Sequence, residues 1–216
     1  MLKYKAVLFD FDGTLMDTNE IILGSWDHVY QTLQGCDAPR DVVVPTFGEP
    51  LVETMPKIFP DRNVQEMVDL YREYQLKYWD KPIEMFEGTR EMIKDLKARG
   101  VLLGMVTSRI WASTHMGPYN FDISDLFDAV VSVQDTTIHK PNPYPAQLCL
   151  EKLGLKPEEA VMVGDSHFDI ECGARAGIDT VVVNWSICYP KGIRKGLWKP
   201  TYEIDKPEEL VGIVVE

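Results

Sequence analysis

No stretch of the chain carries the roughly 18 consecutive apolar residues that a membrane-spanning helix needs, so no membrane partner is expected. Basic residues are scarce: 22 Lys and Arg against 34 Asp and Glu leave a net charge of −12. That deficit argues against a nucleic-acid partner, because duplex binding relies on cations that neutralise phosphates. It would also repel a small anionic substrate, so any phosphate site needs a metal and a lysine. Cysteine is equally sparse. Cys36, Cys149, Cys172 and Cys188 lie far apart with no paired zinc spacing, and are expected to be reduced, buried or inert thiols of a cytoplasmic protein. The start, Met1-Leu2-Lys3-Tyr4-Lys5, shows no secretory hydrophobic region, and no internal repeat or low-complexity tract is evident. What is present is 216 residues at 45% hydrophobic composition, enough for one large domain or a domain with an insertion.

The chain is organised around Val7-Leu8-Phe9-Asp10-Phe11-Asp12-Gly13-Thr14-Leu15-Met16-Asp17. Ala6 to Phe9 reads as a buried strand that ends in two carboxylates and a glycine. Open parallel sheets bind ligands just past the carboxyl ends of their strands, where these acids stand. Two carboxylates this close raise one another's pKa unless a cation neutralises them, and a hard divalent ion with oxygen ligands does so.

Downstream, Asp17-Thr18-Asn19-Glu20 reads as a capping box with Asp17 at the N-cap, opening a helix that ends at Gly35. Further helices are expected at Pro50 to Phe59 and Val64 to Trp79, the last with Met67, Val68, Tyr71, Tyr74 and Tyr78 on one stripe. Val42-Val43-Val44 is a weak strand candidate. Lys81 to Gly88 reads as a return linker that would pair with Met16–Thr18 as a two-strand hinge. From Thr89 helices and strands alternate, the pattern of a parallel sheet. Strands are expected at Val101–Val106, Ala129–Ser132, Ala160–Val163 and Thr180–Val183. Helices are expected at Thr89–Arg99, Asn142–Leu153, His167–Ala176 and, capped by Asp205, Pro207 to Val214. The predicted fold is α/β: a Rossmann-like doubly wound parallel sheet of five core strands, residues 1–16 and 86–216, with an all-helical insert at 17–85.

Three more segments just past strands could carry chemistry. Thr107 and Ser108 follow the second strand, where hydroxyls and fresh backbone N–H groups hold anions well. Lys140 sits in His139-Lys140-Pro141-Asn142-Pro143, and Asp165 and Asp169 sit four apart in Gly164-Asp165-Ser166-His167-Phe168-Asp169. Each alone has a bland explanation: an N-cap, a surface lysine, helix-start acids. Arg109 reads as a solvated arginine ahead of a contact to an anionic substrate, and His167 as an exposed first-turn residue ahead of a ligand.

In order and in place, these four segments resemble motifs I to IV of the haloacid-dehalogenase superfamily, and the helical insert resembles its C1-type cap. The resemblance implies Asp10 as a nucleophile forming an aspartyl-phosphate and Asp12 as the acid and base. It implies Thr107, Ser108 and Lys140 as substrate-binding groups, Thr107 and Lys140 also aiding catalysis, and Asp10, Asp12, Asp165 and Asp169 as a Mg2+ site. Asp12 favours phosphoryl transfer, since the dehalogenases proper lack that second aspartate. Among subgroups the chain looks most like the phosphoglycolate phosphatases and PpaX-type pyrophosphatases. The implied activity is Mg2+-dependent hydrolysis of a small phosphate ester or pyrophosphate by a monomer, with a homodimer as the alternative. A β-phosphoglucomutase-like mutase and a catalytically silent binding module are the rival readings. Phe47-Gly48-Glu49-Pro50 is a candidate specificity loop, and Lys191, Arg194, Lys195 and Lys199 read as a solvated basic loop.

Overall fold

The computed structural model describes residues 1–77, 83–110, 121–189 and 199–215. Tyr78, Trp79, Lys81 and Pro82, and the basic residues Lys191, Arg194 and Lys195, lie outside the described residues; Lys199 is exposed as expected.

Six parallel strands form one sheet in the order β3-β2-β1-β4-β5-β6. They are β1 (Ala6–Phe9), β2 (Leu102–Val106), β3 (Ala129–Val131), β4 (Ala160–Gly164), β5 (Asp179–Val183) and β6 (Tyr202–Ile204). β1 lies in the centre, and its four residues are apolar throughout because both faces are covered. Val7 and Phe9 face a layer with Met92, Ile93 and Leu96 of the helix Thr89–Ala98 and Leu210 and Val214 of the helix Glu208–Val214. Ala6 and Leu8 face the opposite layer, with Cys149 and Leu150 of the helix Tyr144–Leu153 and Cys172 of the helix His167–Arg175. The strand order reverses between β1 and β4, the point where open α/β sheets place their ligands.

Six strands stand where five were expected. Tyr202-Glu203-Ile204 has only three residues, too few to show an alternation, and pairing with β5 makes it a strand. Asp205 does not cap the following helix, whose N-cap is Pro207. Its carboxylate instead accepts a hydrogen bond from Asn184 Nδ2 at 2.7 Å.

Residues 19–77 hold four α-helices, α1 (Asn19–Gln34), α2 (Arg40–Val43), α3 (Leu51–Ile58) and α4 (Val64–Lys77), with a 3-10 turn at Val44–Thr46. They enclose a hydrophobic cluster of their own, with Trp26, Val29, Val43, Met55, Val68 and Tyr71 at its centre. The Trp26 and Tyr71 rings meet edge to face at 5.4 Å, so these aromatics are packed core. Val42-Val43-Val44 is not a strand. Pro39 opens a helical turn there and Val43 turns into the helical cluster, with no neighbouring strand to pair. α1 begins one residue later than expected, with Thr18 at the N-cap and no capping box. The Asp17 N–H, which the expected capping box would offer to Glu20, is already given to Glu84 O at 3.0 Å. That bond, a second from Phe86 N to Leu15 O at 2.9 Å, and the antiparallel bridge Met16–Met85 pair the two segments joining the helices to the sheet.

Candidate active site

β1, β2 and β4 end side by side, and their registers align Phe9 with Met105 and Val163. The residues just past these ends therefore converge. Asp10 follows β1, Thr107 follows β2 and Asp165 follows β4, and all three are buried.

Asp10, Asp165 and Asp169 each offer a carboxylate oxygen within 4.8 Å of the others, and all three are buried. Lys140, 2% exposed, reaches into this group. Its Nζ donates to Asp10 Oδ1 at 2.7 Å, Asp169 Oδ1 at 2.6 Å and Val106 O at 3.1 Å. Asp169 is held from its other side by the Ser166 N–H and hydroxyl at 3.1 and 2.6 Å, a capping box that starts the helix His167–Arg175. Asp165 accepts a hydrogen bond from Ser186 Oγ at 2.5 Å. Ser186 had no assigned role in the sequence; only folding brings it, 21 residues on, to that carboxylate.

Burial raises the Asp10 pKa well above the usual carboxylate range; Lys140 opposes this and the neighbouring acids add to it. Asp165 is pushed up to about 7, first by burial and then by repulsion from Asp169. Burial works against the Lys140 ammonium, but Asp10 and Asp169 outweigh it and raise its pKa. When all three carboxylates are ionised, one ammonium leaves two negative charges uncompensated in a buried pocket, and a divalent cation would balance them. An all-oxygen donor set suits a hard ion such as Mg2+. The residues fit the metal.

Gly13 is shaped to this cluster. Its φ of +75° favours glycine, and a side chain there would overlap the Asp165 carboxylate. Trp185 Nε1 donates to Thr14 O at 3.1 Å and pins the same loop.

The carboxylate of Asp12 lies outside the three-acid cluster. It is held by Arg109, whose Nε and Nη2 reach its two oxygens. Arg109 is therefore not the solvated residue expected; its side chain is 12% exposed and its guanidinium lies over the Phe11 ring. Sequence offered one unread signal, its place two residues beyond Thr107. Thr107 Oγ1 accepts the Arg109 N–H at 3.1 Å, fixing the turn after β2. Ser108 Oγ donates to Gly48 O at 2.6 Å, so it ties the sheet to the Phe47–Pro50 loop. His167 is only partly exposed: its ring lies tilted against Phe168 with centroids 3.9 Å apart, and burial lowers its pKa.

A cavity of about 440 Å³ opens beside Asp10 and Asp12 and extends between α1, α3 and α4. The Phe47–Pro50 loop forms part of its wall. Among the described residues no helix is long and apolar enough to cross a membrane.

Known proteins share this arrangement of chain. A pyrophosphatase PpaX of Bacillus cereus is 38% identical over 215 residues, which cover 99% of this chain and 97% of that protein. A pyrophosphatase PpaX of Bacillus mycoides is also 38% identical, over 99% of this chain and 98% of its own length. A solved structure from Lactobacillus plantarum that carries the name phosphoglycolate phosphatase superposes with a TM-score of 0.84 at 23% identity, covering 98% of this chain and all of its own. The β-phosphoglucomutase of Clostridium difficile superposes with a TM-score of 0.79 at 18% identity, over 96% of this chain and 93% of its own. Residues 7–183, which run from β1 to the end of β5 and include the three-acid cluster, match the family model of the haloacid dehalogenase-like hydrolases. This chain belongs to the haloacid dehalogenase-like hydrolase family.

Proposed function

We propose that this protein is a Mg2+-dependent phosphohydrolase acting on a small phosphate ester or on pyrophosphate through an aspartyl-phosphate. The observation that carries the reading is the buried cluster of Asp10, Asp165 and Asp169 with Lys140 set among them. The names of the Bacillus relatives support the reaction class.

Asp10, Asp165 and Asp169 would hold the Mg2+, which supplies charge neutralisation for the transferring phosphoryl group. The Asp10 carboxylate attacks phosphorus and the bond from phosphorus to the leaving oxygen breaks. Asp12, protonated once it has let go of one arm of Arg109, gives that proton to the leaving oxygen, so the product departs as a neutral alcohol or protonated phosphate. In the second step Asp12 takes a proton from water, the water oxygen bonds to phosphorus, and the acyl–phosphate bond breaks to return Asp10 and free phosphate. Lys140 opposes the rise that burial imposes on the Asp10 pKa, favouring its ionised, attacking form, and screens the incoming charge. Backbone N–H groups and the Thr107 and Ser108 hydroxyls at the end of β2 bind phosphoryl oxygens, Ser108 after releasing Gly48. Residues 17–85 act as a cap that opens and closes on the paired segments around Met16 and Met85.

The test is Asp10→Asn, which preserves shape and removes the nucleophile. Phosphate release from p-nitrophenyl phosphate with Mg2+ should fall at least about a thousandfold, with the melting curve little changed. EDTA should silence the native enzyme. Full activity in the variant, or indifference to EDTA, overturns the reading.

A further inference from the structure

The cavity beside Asp10 and Asp12 is unlike a pocket built for a second phosphate. Its walls come from Ile22 and Trp26 of α1, Leu51 and Val52 of α3, and Tyr71 and Leu76 of α4. No lysine lines it among the described residues, and one of its two arginines, Arg109, is committed to Asp12. The other, Arg72, is exposed on α4. Gln75 and Gln134 add polar groups and Glu49 a carboxylate, so a doubly charged group lying against the apolar part of the wall would lose its water and gain few cationic partners. An apolar group would gain from the same burial. The wall runs out to solvent, where Val52 and Leu76 are 54% and 64% exposed, an unusual fate for large aliphatic side chains on one cavity. Its volume of about 440 Å³ is that of pockets that hold organic ligands well beyond the size of pyrophosphate.

From these facts we infer the substrate class: a phosphate monoester whose alcohol portion is apolar and several carbons long. Its phosphate sits at Asp10 and its tail lies between α1, α3 and α4. This rests on the phosphohydrolase reading and narrows it. The cavity is continuous with the catalytic carboxylates, so its occupant is the group attached to phosphorus rather than a separate ligand.

The experiment compares ethyl, butyl and hexyl phosphate with inorganic pyrophosphate and phosphoglycolate, in Mg2+. The expected result is a rise in kcat/KM of about fourfold per added methylene, with hexyl phosphate exceeding both anionic compounds. Val52→Asp and Leu76→Asp, at positions exposed enough to spare the fold, should each cut the hexyl-to-ethyl ratio at least about tenfold. Methyl- and hexylphosphonate, which have no scissile P–O–C bond, read binding by calorimetry on the native protein with Mg2+ and without turnover. Tighter binding of hexylphosphonate supports the inference even if no ester is hydrolysed, an outcome that would sink the hydrolase reading alone. Equal binding of the two phosphonates, a flat series among esters that are hydrolysed, or pyrophosphate outrunning hexyl phosphate overturns it.

Discussion

Arg109 grips Asp12 with both arms of its guanidinium, Nε to Oδ2 at 3.0 Å and Nη2 to Oδ1 at 2.7 Å. The pair is largely shielded from solvent and stands beside the buried acids, in the wall of the same cavity as Asp10. A fork of two parallel bonds fixes the orientation of a carboxylate as well as its charge, which a lysine cannot do. The acid–base partner proposed for the reaction is thus oriented by a residue just past β2, and it must release one arm of that fork to carry a proton.

Arg109→Lys keeps the charge and loses the fork. We expect kcat on p-nitrophenyl phosphate to fall about tenfold, and Arg109→Ala to cost more. A lysine variant with native kcat would show that the pair does not position Asp12.

Gly13→Ala introduces a Cβ into space held by the Asp165 carboxylate, at a φ that disfavours any side chain. Mg2+ affinity, measured by calorimetry, should drop at least about tenfold. Gly35→Ala is the control: its φ is also positive, yet nothing lies near an added Cβ, so it should affect stability alone. Native Mg2+ affinity in Gly13→Ala would contradict the placement of Asp165.

The raised pKa of Asp165, about 7 in the metal-free protein, sets a pH dependence. Its folded value lies above the unfolded one, so the unfolded state gives up this proton first as pH rises. Through this carboxyl the metal-free protein should lose stability from roughly pH 4 up to about pH 7, and the Asp165 contribution should level off above. Because the metal binds the ionised carboxylate, Mg2+ should raise Tm more at about pH 8 than at about pH 5.5. Melting curves with Mg2+ and with EDTA at both pH values check this; an equal rise at the two would refute it.

Asp128 tests the sheet away from the active site. Burial opposes its ionisation, but Lys97 at 2.6 Å and the Leu103 N–H at 2.8 Å outweigh that and hold its pKa below the usual value. With the folded value depressed, its contribution is present above about pH 4 and is lost as pH falls through the folded pKa. Asp128→Asn should destabilise the protein by about 1 kcal/mol at neutral pH, a modest figure because both side chains are partly exposed. Urea denaturation measures it, and the gap from native should shrink in acid.

Local pattern determined a great deal of this protein. The apolar run of β1, the alternation after Thr89 and the glycines Gly35, Gly100, Gly154 and Gly177 at positive φ all follow from interactions within a few residues, so each could be read from the chain. The acids and Lys140 could be placed because each lies directly beyond a strand or in a stiff proline-flanked turn. Tertiary structure decided the partnerships: Lys140 with Asp10 across 130 positions, Arg109 with Asp12 across 97, and Ser186 with Asp165. It also made a strand of Tyr202–Ile204 and a helical turn of the valines at 42–44, since short segments take their form from what they pack against. The reason is one of range. Periodicity and turn chemistry act along the chain, whereas a charge partner or a cavity wall is chosen only when distant segments meet.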